Sequence, residues 1–235
     1  MNWLDRTVGL FSPRRGLARA RYRQALAIAA RGYEGAGVSR RTEGWRTPGT
    51  GVNSEVAVAL PRLRDRSRDL VRNNPHAAKA VQALVSNLVG TGIVARARSG
   101  DPERNEAADA LWSRFVRQCD ADGRTDFNGL QALVARTMVE SGECLVRLRP
   151  RRRDDGLVVP LQLQVLEADH LDGTRNADLP GGGFIQQGIE FDGLGRRMAY
   201  WLYPVHPGEV AGFRRRSLQS RRIPARFVAH VFERL

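Results

Sequence analysis

Between residues 61 and 142, apolar side chains recur at the spacing of one helix face in four segments. The first segment begins at Pro61 and ends at Asn73-Asn74-Pro75, where Asn74 suits an N-cap and Pro75 a first helical position. The second segment ends at Gly90. Its apolar positions follow the i, i+3, i+4, i+7 pattern and are predicted to form one buried stripe: Val81, Leu84, Val85 and Leu88.

Two further helices are predicted from the same signals. Asp101-Pro102 repeats the cap and proline, and an apolar face continues to Cys119. The fourth helix follows Asp126 and ends near Ser141-Gly142. Between the second and third helices, Ile93 to Arg98 alternates apolar residues with arginine and is predicted to be a short strand.

After Gly142 the apolar period changes from helical to extended. Five strands are predicted: Cys144–Leu148, Leu157–Leu166, Phe184–Phe191, Met198–Tyr203 and Phe227–Phe232. Asp192-Gly193 is expected to close a hairpin between Gly188 and Trp201. The alternation of strands and helices that builds a doubly wound nucleotide-binding sheet is absent. The pattern therefore predicts an α+β fold, with an N-terminal helical portion followed by a mainly antiparallel β portion.

We divide the chain into three portions. Residues 1–53 form a basic N-terminal arm and linker, residues 54–142 the helical portion, and residues 143–235 the β-rich portion. The arm is compatible with a short amphipathic helix between Pro13 and Arg31, followed by a glycine-rich linker. Its basic face fits nucleic acid or membrane, and an arm that orders only against a neighbouring subunit is at least as well supported.

Charge narrows the choice of partner. The 38 basic residues outnumber 25 acidic ones, giving a net charge of +13, and Lys79 is the single lysine. Arginine binds phosphates and carboxylates bidentately, so the excess favours a polyanion partner or an ion-paired assembly. Coding bias in a GC-rich genome explains the preference for arginine over lysine equally well. No early apolar stretch exceeds Ala25–Ala30, so we expect an intracellular protein without membrane association.

Catalytic and metal-binding patterns are weak. Gly181-Gly182-Gly183 lacks the Gly-Lys-Ser/Thr of a phosphate loop and is interpreted as a turn. Asp169, His170 and Asp172 form the most suggestive polar cluster, for which loop capping or subunit pairing is favoured over a metal site or a hydrolase. The two cysteines, Cys119 and Cys144, lack metal-ligand spacing and are expected to be reduced and partly buried. We expect no enzyme, cofactor or metal, and assign Lys79 to solvent.

Two arginine runs are the candidate contact residues, for DNA or for a neighbouring subunit. They lie in predicted loops between strands and comprise Arg151, Arg152, Arg153, Arg214, Arg215 and Arg216, with Arg221-Arg222 close behind. An alternative interpretation is a solvated loop. A second hypothesis for the chain is a DNA-binding module with a helix-turn-helix-like element at residues 61–90, although the turn lacks the usual glycine.

An ordered series of motifs covers nearly the whole chain and resembles the lambda-like phage portal proteins. The strongest match is the segment Arg64-Asp65-Arg66-Ser67-Arg68-Asp69-Leu70-Val71-Arg72-Asn73-Asn74-Pro75. Further matches follow in the family's order: Tyr33-Glu34-Gly35-Ala36, Trp45, Val89-Gly90-Thr91-Gly92-Ile93, Ser141-Gly142-Glu143-Cys144-Leu145-Val146, Leu166-Glu167-Ala168-Asp169-His170-Leu171-Asp172, Gly188-Ile189-Glu190, Gly195-Arg196, Ala199-Tyr200-Trp201, His206-Pro207-Gly208, and Ile223-Pro224-Ala225 to His230-Val231-Phe232.

The resemblance implies a portal subunit of which this chain is the N-terminal half, because family members are about twice as long. It implies a ring of about twelve copies at one capsid vertex. Double-stranded DNA passes through such a ring non-specifically, and terminase, capsid and head-tail connector proteins dock on it. The expected locations are the virion and, during assembly, the host cytoplasm. The fold is expected to be wing-like, and no catalytic residue is implied.

Overall fold

The computed structural model describes residue 49, residues 51–209 and residues 219–233. All the elements lie in the unit Gly51–Leu235. The helices are α1 Val52–Asn73, α2 Pro75–Val89, α3 Pro102–Gln118 and α4 Phe127–Ser141. The strands are β1 Glu143–Pro150, β2 Leu161–Glu167, β3 Ala177–Asp178, β4 Phe184–Gln186, β5 Ile189–Phe191, β6 Arg197–Leu202, β7 Arg221–Pro224 and β8 Val228–Phe232.

The strands form two antiparallel sheets. One has three strands in the order β2-β1-β8, and the other has five in the order β3-β4-β5-β6-β7. Helices therefore precede antiparallel sheets along the chain, which confirms the predicted α+β fold. The division into three portions stays a prediction.

Local capping explains where the helices begin and end. Asn74 Oδ1 accepts hydrogen bonds from the backbone N–H groups of His76 and Ala77, and Asp101 caps α3 in the same way. Asp126 caps α4, which ends at Gly142 with φ of 82°, a left-handed conformation that glycine adopts without strain. The predicted starts of α2, α3 and α4 are confirmed.

Three buried clusters hold the elements together. Val71, Val81 and Val85 join α1 and α2 to α4. The other two clusters cover opposite faces of the three-stranded sheet: Phe115, Cys119 and Leu130 with Leu161, Leu163 and Val165 on one face, and Leu145, Leu166 and Val228 with Tyr200 and Leu202 on the other. The second of these faces packs against the five-stranded sheet.

Several predicted elements were wrong in extent or type. Helix α1 begins at Val52, so Pro61 lies inside it. Ile93 to Arg98 is not a strand: the backbone of Ile93 pairs with the Gln131 amide, and the Ala97 N–H donates to Asp109. Because side chains satisfy these backbone groups, the segment needs no neighbouring strand.

The β portion also needs corrections. Strand β2 begins at Leu161 rather than Leu157, and residues 184–191 form two strands around a turn at Gln187-Gly188. Strands β3 and β7 were not predicted. The hairpin of β5 and β6 and the turn at residues 180–182 are confirmed. The proposed helix between residues 13 and 31 lies outside the described residues.

Candidate functional site

Of the six predicted contact arginines, the structure describes Arg151, Arg152 and Arg153. Arg151 follows the last residue of β1, is half-buried, and donates from Nε to Gln162 Oε1 at 2.8 Å. Arg152 and Arg153 are exposed and precede Asp154 and Asp155 in a single helical turn. Arg214–Arg216 lie outside the described residues. Their assignment to DNA or subunit contact stays a prediction.

Arg151 belongs to a row that the sequence analysis missed. Because side chains alternate along a strand, Arg147, Arg149 and Arg151 project from the same face of β1. We call these three residues the arginine row. Gln164 and Gln162 lie opposite Arg147 and Arg149 on β2. The missed signal was the arginine at every second position in Arg147-Leu148-Arg149-Pro150-Arg151.

A buried ionic cluster joins α1 to the sheets. Arg64 is only 7% exposed, and its Nη2 donates to Glu143 Oε1 at 2.5 Å. The other carboxylate oxygen of Glu143 lies 2.7 Å from His230 Nε2, on the neighbouring strand β8. Arg64 Nη1 lies 3.7 Å from Asp169 Oδ1. One arginine of α1 therefore contacts both the start of β1 and the turn after β2.

Arg68, one turn further along α1, completes this ionic cluster. Its Nη2 lies 2.6 Å from Asp169 Oδ2 and 2.9 Å from Glu167 Oε2, and its Nε donates to Ser141 Oγ at 3.1 Å. Burial by itself would lower the pKa of Arg68, but the hydrogen bond and the charge of Asp169 outweigh it and raise that pKa. Burial would raise the pKa of Asp169, but Arg68 and Arg64 lower it below its usual range.

The polar residues near position 170 have structural partners within the chain. Asp169 forms the ion pairs just described, and Asp172 accepts hydrogen bonds from the hydroxyls of Thr174, Tyr203 and Ser220. Burial would raise the pKa of Asp172, but these three hydrogen bonds lower it. Asp169 and His170 lie in a single helical turn, Ala168–His170. Since the donors to Asp172 are hydroxyl groups and not backbone N–H groups, the loop-capping interpretation of Asp172 stays a prediction.

One group of side chains in the described part of the chain has the spacing of metal ligands. Ligand atoms of Glu167, Asp169 and His206 lie within 4.8 Å of one another. Arg68 Nη2 already contacts both carboxylates, so the guanidinium supplies the positive charge that a metal would bring. We assign this group to the ionic cluster.

The two thiols and the lysine have no arrangement suited to chemistry. Cys119 and Cys144 are free and fully buried, and burial raises their pKa values to about 11 and about 12. A thiol with such a pKa is almost entirely protonated at neutral pH and is a poor nucleophile. Lys79 is exposed, as predicted.

Helix α2 has an exposed face without charge. The predicted buried stripe is buried at Val81 and Val85 only, whereas Leu84 is 50% and Leu88 63% exposed. The apolar surface continues in sequence at Ile93 and Val94, which are also exposed. We call Leu84, Leu88, Ile93 and Val94 the uncharged face. Exposed apolar residues grouped in this way mark interaction surfaces more often than isolated ones do.

Helices α1 and α2 do not match a helix-turn-helix. Asn74 is the single residue between α1 and α2, whereas the motif uses a turn of about three to four residues. The exposed surface of α2 carries Leu84 and Leu88 beside its polar side chains, so it is not the uniformly polar surface with which a recognition helix reads base edges.

These observations define an α+β protein. Among the residues described, its ionic cluster around Arg64 and Arg68 connects α1 to the sheets. No helix in the described ranges is long and apolar enough to cross a membrane. The chain belongs to the lambda family of phage portal proteins: the family model described as "Phage portal protein, lambda family" matches residues 38–235. This confirms the resemblance found from the motifs.

A curated relative supports the same family assignment. The chain is 30% identical over 176 residues to a "Probable portal protein" of Halomonas phage phiHAP-1. The match covers 69% of this chain and 32% of that protein. The chain therefore spans about a third of the length of this relative.

Proposed function

We propose that the chain is a subunit of a portal ring at a capsid vertex, through which double-stranded DNA is packaged and ejected. The observation that carries the proposal, together with the family match, is the uncharged face on α2 and the segment after it. Ring subunits must bury surface against their neighbours, and fully buried parts of such interfaces are depleted in charge.

Electrostatics favours a second copy as the partner of this face. The chain carries a net charge of +13, so two copies repel each other over most of their surfaces. Helix α2 carries a single charged residue, Lys79, in its 15 residues. Contact through the uncharged face buries apolar surface of a copy without burying any of its positive charges. In a ring, this face would contact a different face of the next subunit.

The excess of arginine suits the polyanion that a portal conveys. A channel through which DNA moves needs phosphate contacts that do not depend on base sequence, because base-specific contacts would oppose movement. Arg151, Arg152 and Arg153 are the proposed DNA or subunit contacts within the described residues. Terminase, capsid and head-tail connector proteins are the proposed partners of the assembled ring. The ring would lie in the virion and, during assembly, in the host cytoplasm. Catalysis has no role in this proposal.

The test measures assembly of the full chain by mass photometry over a range of concentrations, with negative-stain images of the largest species. Wild-type protein should form closed oligomers. The double variant Leu84→Lys/Leu88→Lys should need at least about tenfold more protein to assemble, because it places two further charges in the interface.

The matched control is Gln82→Lys/Ser86→Lys. It adds the same charge to exposed positions of the same helix, about 200° around the axis from Leu84 and Leu88. This variant should assemble like the wild type. A wild-type chain that stays monomeric at every concentration, or a leucine variant that assembles as readily as the control, would reject the proposal.

A further inference from the structure

The outer end of β1 carries positive charge that no acidic side chain of the described residues neutralises. Arg147, Arg149 and Arg151 have no carboxylate oxygen of those residues within 4.0 Å, whereas Arg64 and Arg68 are both ion-paired. Strand residues two apart are separated by about 7 Å, so the row is about 14 Å long. A half-buried line of unpaired guanidinium groups is the kind of surface that a polyanion stabilises.

We propose that the arginine row binds the phosphate backbone of duplex DNA. The inference deepens the proposed function and rests on it, because the portal role supplies the DNA.

Two glutamines orient two of the three arginines in the row. Gln164 Oε1 accepts from Arg149 Nη1 at 3.2 Å, and Gln162 Oε1 accepts from Arg151 Nε at 2.8 Å. Each bond uses one of the five N–H donors of a guanidinium group, so the remaining donors are available to phosphate oxygens. A glutamine amide fixes the position of an arginine without cancelling its charge, which a carboxylate at the same place would do.

Repulsion between neighbouring arginines also favours a bound anion. Burial lowers the pKa of Arg147, and three nearby positive groups lower it further: Arg149, Arg151 and Arg221. Arg221 is exposed at the start of β7, beyond the three-stranded sheet. Because like charges crowd this surface, a bound phosphate would relieve repulsion as well as form hydrogen bonds.

The chemistry of the row favours a phosphate backbone over base edges. The side chains of β2 that face the row are the glutamines Gln162 and Gln164. No aromatic ring of the described residues stacks on the three guanidinium groups. Duplex DNA carries a charge about every 1.7 Å along its axis, so any sequence presents phosphates to a row of this length. Such binding would be blind to sequence and sensitive to salt.

The experiment measures binding of the full chain to two duplexes of unrelated sequence by fluorescence anisotropy at several salt concentrations. The variant Arg147→Gln/Arg149→Gln/Arg151→Gln should bind both duplexes at least about tenfold more weakly at about 50 mM salt. Its slope of log K against log salt should be smaller in magnitude by about 2 to 3 than that of wild type, since each phosphate contact contributes about 0.9.

The matched control is Arg98→Gln/Arg114→Gln/Arg117→Gln. It removes the same charge from exposed arginines on α3 and the segment before it, and the α3 core residues pack on the opposite face of the three-stranded sheet. This control should keep most of the affinity and slope. Circular dichroism and urea unfolding would establish that both variants are folded.

Two results would overturn the inference: equal losses in the row variant and the control, or a row variant that binds DNA like the wild type. In the second case an acidic protein surface would be the remaining class of ligand. Mass photometry of the same samples separates this outcome from failure of the portal proposal, because the row variant should still assemble. If the row variant assembles and binds DNA like the wild type, the row is not the DNA-binding surface, and the proposal of a portal ring still stands.

Discussion

The two ends of strand β1 use arginine in opposite ways. At its start, Glu143 binds the buried guanidinium of Arg64 from α1, and the positive charge is neutralised inside the protein. At its far end, Arg149 and Arg151 are oriented by glutamine amides and keep their charge. The same residue type therefore contributes to stability at one end of the strand and, we propose, to ligand binding at the other.

The difference shows that a net charge of +13 says little about which arginines are available to a partner. Arg64 and Arg68 lie one turn apart on the buried side of α1, where an arginine is stable only when carboxylates face it. The arginine row lies at the end of β1, where the strand runs past its pairing with β8, and its side chains are half-buried. Burial and the identity of the facing residue, rather than charge count, distinguish the two groups.

The largest expected effect is at the buried end. Arg64→Ala should lower the free energy of unfolding by about 3 to 5 kcal/mol, because it leaves Glu143, only 17% exposed and next to His230, without a guanidinium partner. Urea unfolding at pH 7 measures the loss. Arg66→Ala, at an exposed position two residues along the same helix, should change stability by less than about 0.5 kcal/mol. Similar losses in the two variants would remove the distinction between the ends of β1.

A double-mutant cycle sharpens the same point. Arg64→Ala/Glu143→Ala should lose less stability than the sum of the single variants, by about 1 to 3 kcal/mol, since removing both members leaves fewer buried charges unpaired. The four proteins are compared by urea unfolding under identical conditions. Strict additivity would show that the contact between Arg64 and Glu143 does not stabilise the fold.

Lowering the pH should destabilise the fold through its hydrogen-bonded and ion-paired carboxylates, including those of the buried end. The pKa values of Asp169 and Asp172 lie below their usual range in the folded chain. A carboxyl group with such a lowered folded-state pKa stabilises the fold above its unfolded pKa, about 4, and this contribution is lost as the pH falls through the folded-state value.

The urea midpoint should therefore be steady from about pH 7 to about pH 5 and fall progressively below about pH 4. Asp169→Asn should show a smaller fall over that acidic range, because it has no carboxyl group to protonate at this site. A midpoint that rises on acidification would contradict the assignment of these carboxylates as stabilising ion-pair and hydrogen-bond acceptors.

The smallest expected effect is at the open end. Replacing all three arginines of the row with glutamine should change the free energy of unfolding by less than about 1 kcal/mol, because no carboxylate among the described residues loses a partner. A loss comparable to that of Arg64→Ala would mean that the row stabilises the fold, and it would weaken the case for a binding surface.

Local signals made much of the fold predictable. Asn74-Pro75, Asp101-Pro102 and Gly142 mark helix ends through capping and backbone conformation, which depend on a few adjacent residues. The change after Gly142 to alternating apolar residues predicted the sheets, because that pattern too can be seen within a few adjacent residues. The start of α1 at Val52 was missed because Pro61 was interpreted as a first helical residue, whereas the helix continues through it.

The candidate site was less predictable because it depends on contacts between distant parts of the chain. Nothing near Arg64 in sequence shows that Glu143 faces it, and Leu84 has the spacing of a buried residue although it stays half exposed outside the cluster that joins α2 to α4. Ile93 to Arg98 alternates like a strand, but the side chains of Gln131 and Asp109 satisfy its backbone in place of a neighbouring strand.

The contrast between the two ends of β1 can be tested most directly by photo-crosslinking to duplex DNA. A photoreactive residue replaces Gln164, whose side chain contacts Arg149, or Arg117 on α3. We expect crosslinks to duplexes of any sequence from position 164, lost at high salt, and few from position 117. Equal crosslinking from both positions, or crosslinking from position 117 alone, would contradict the assignment of the arginine row as the DNA-binding surface.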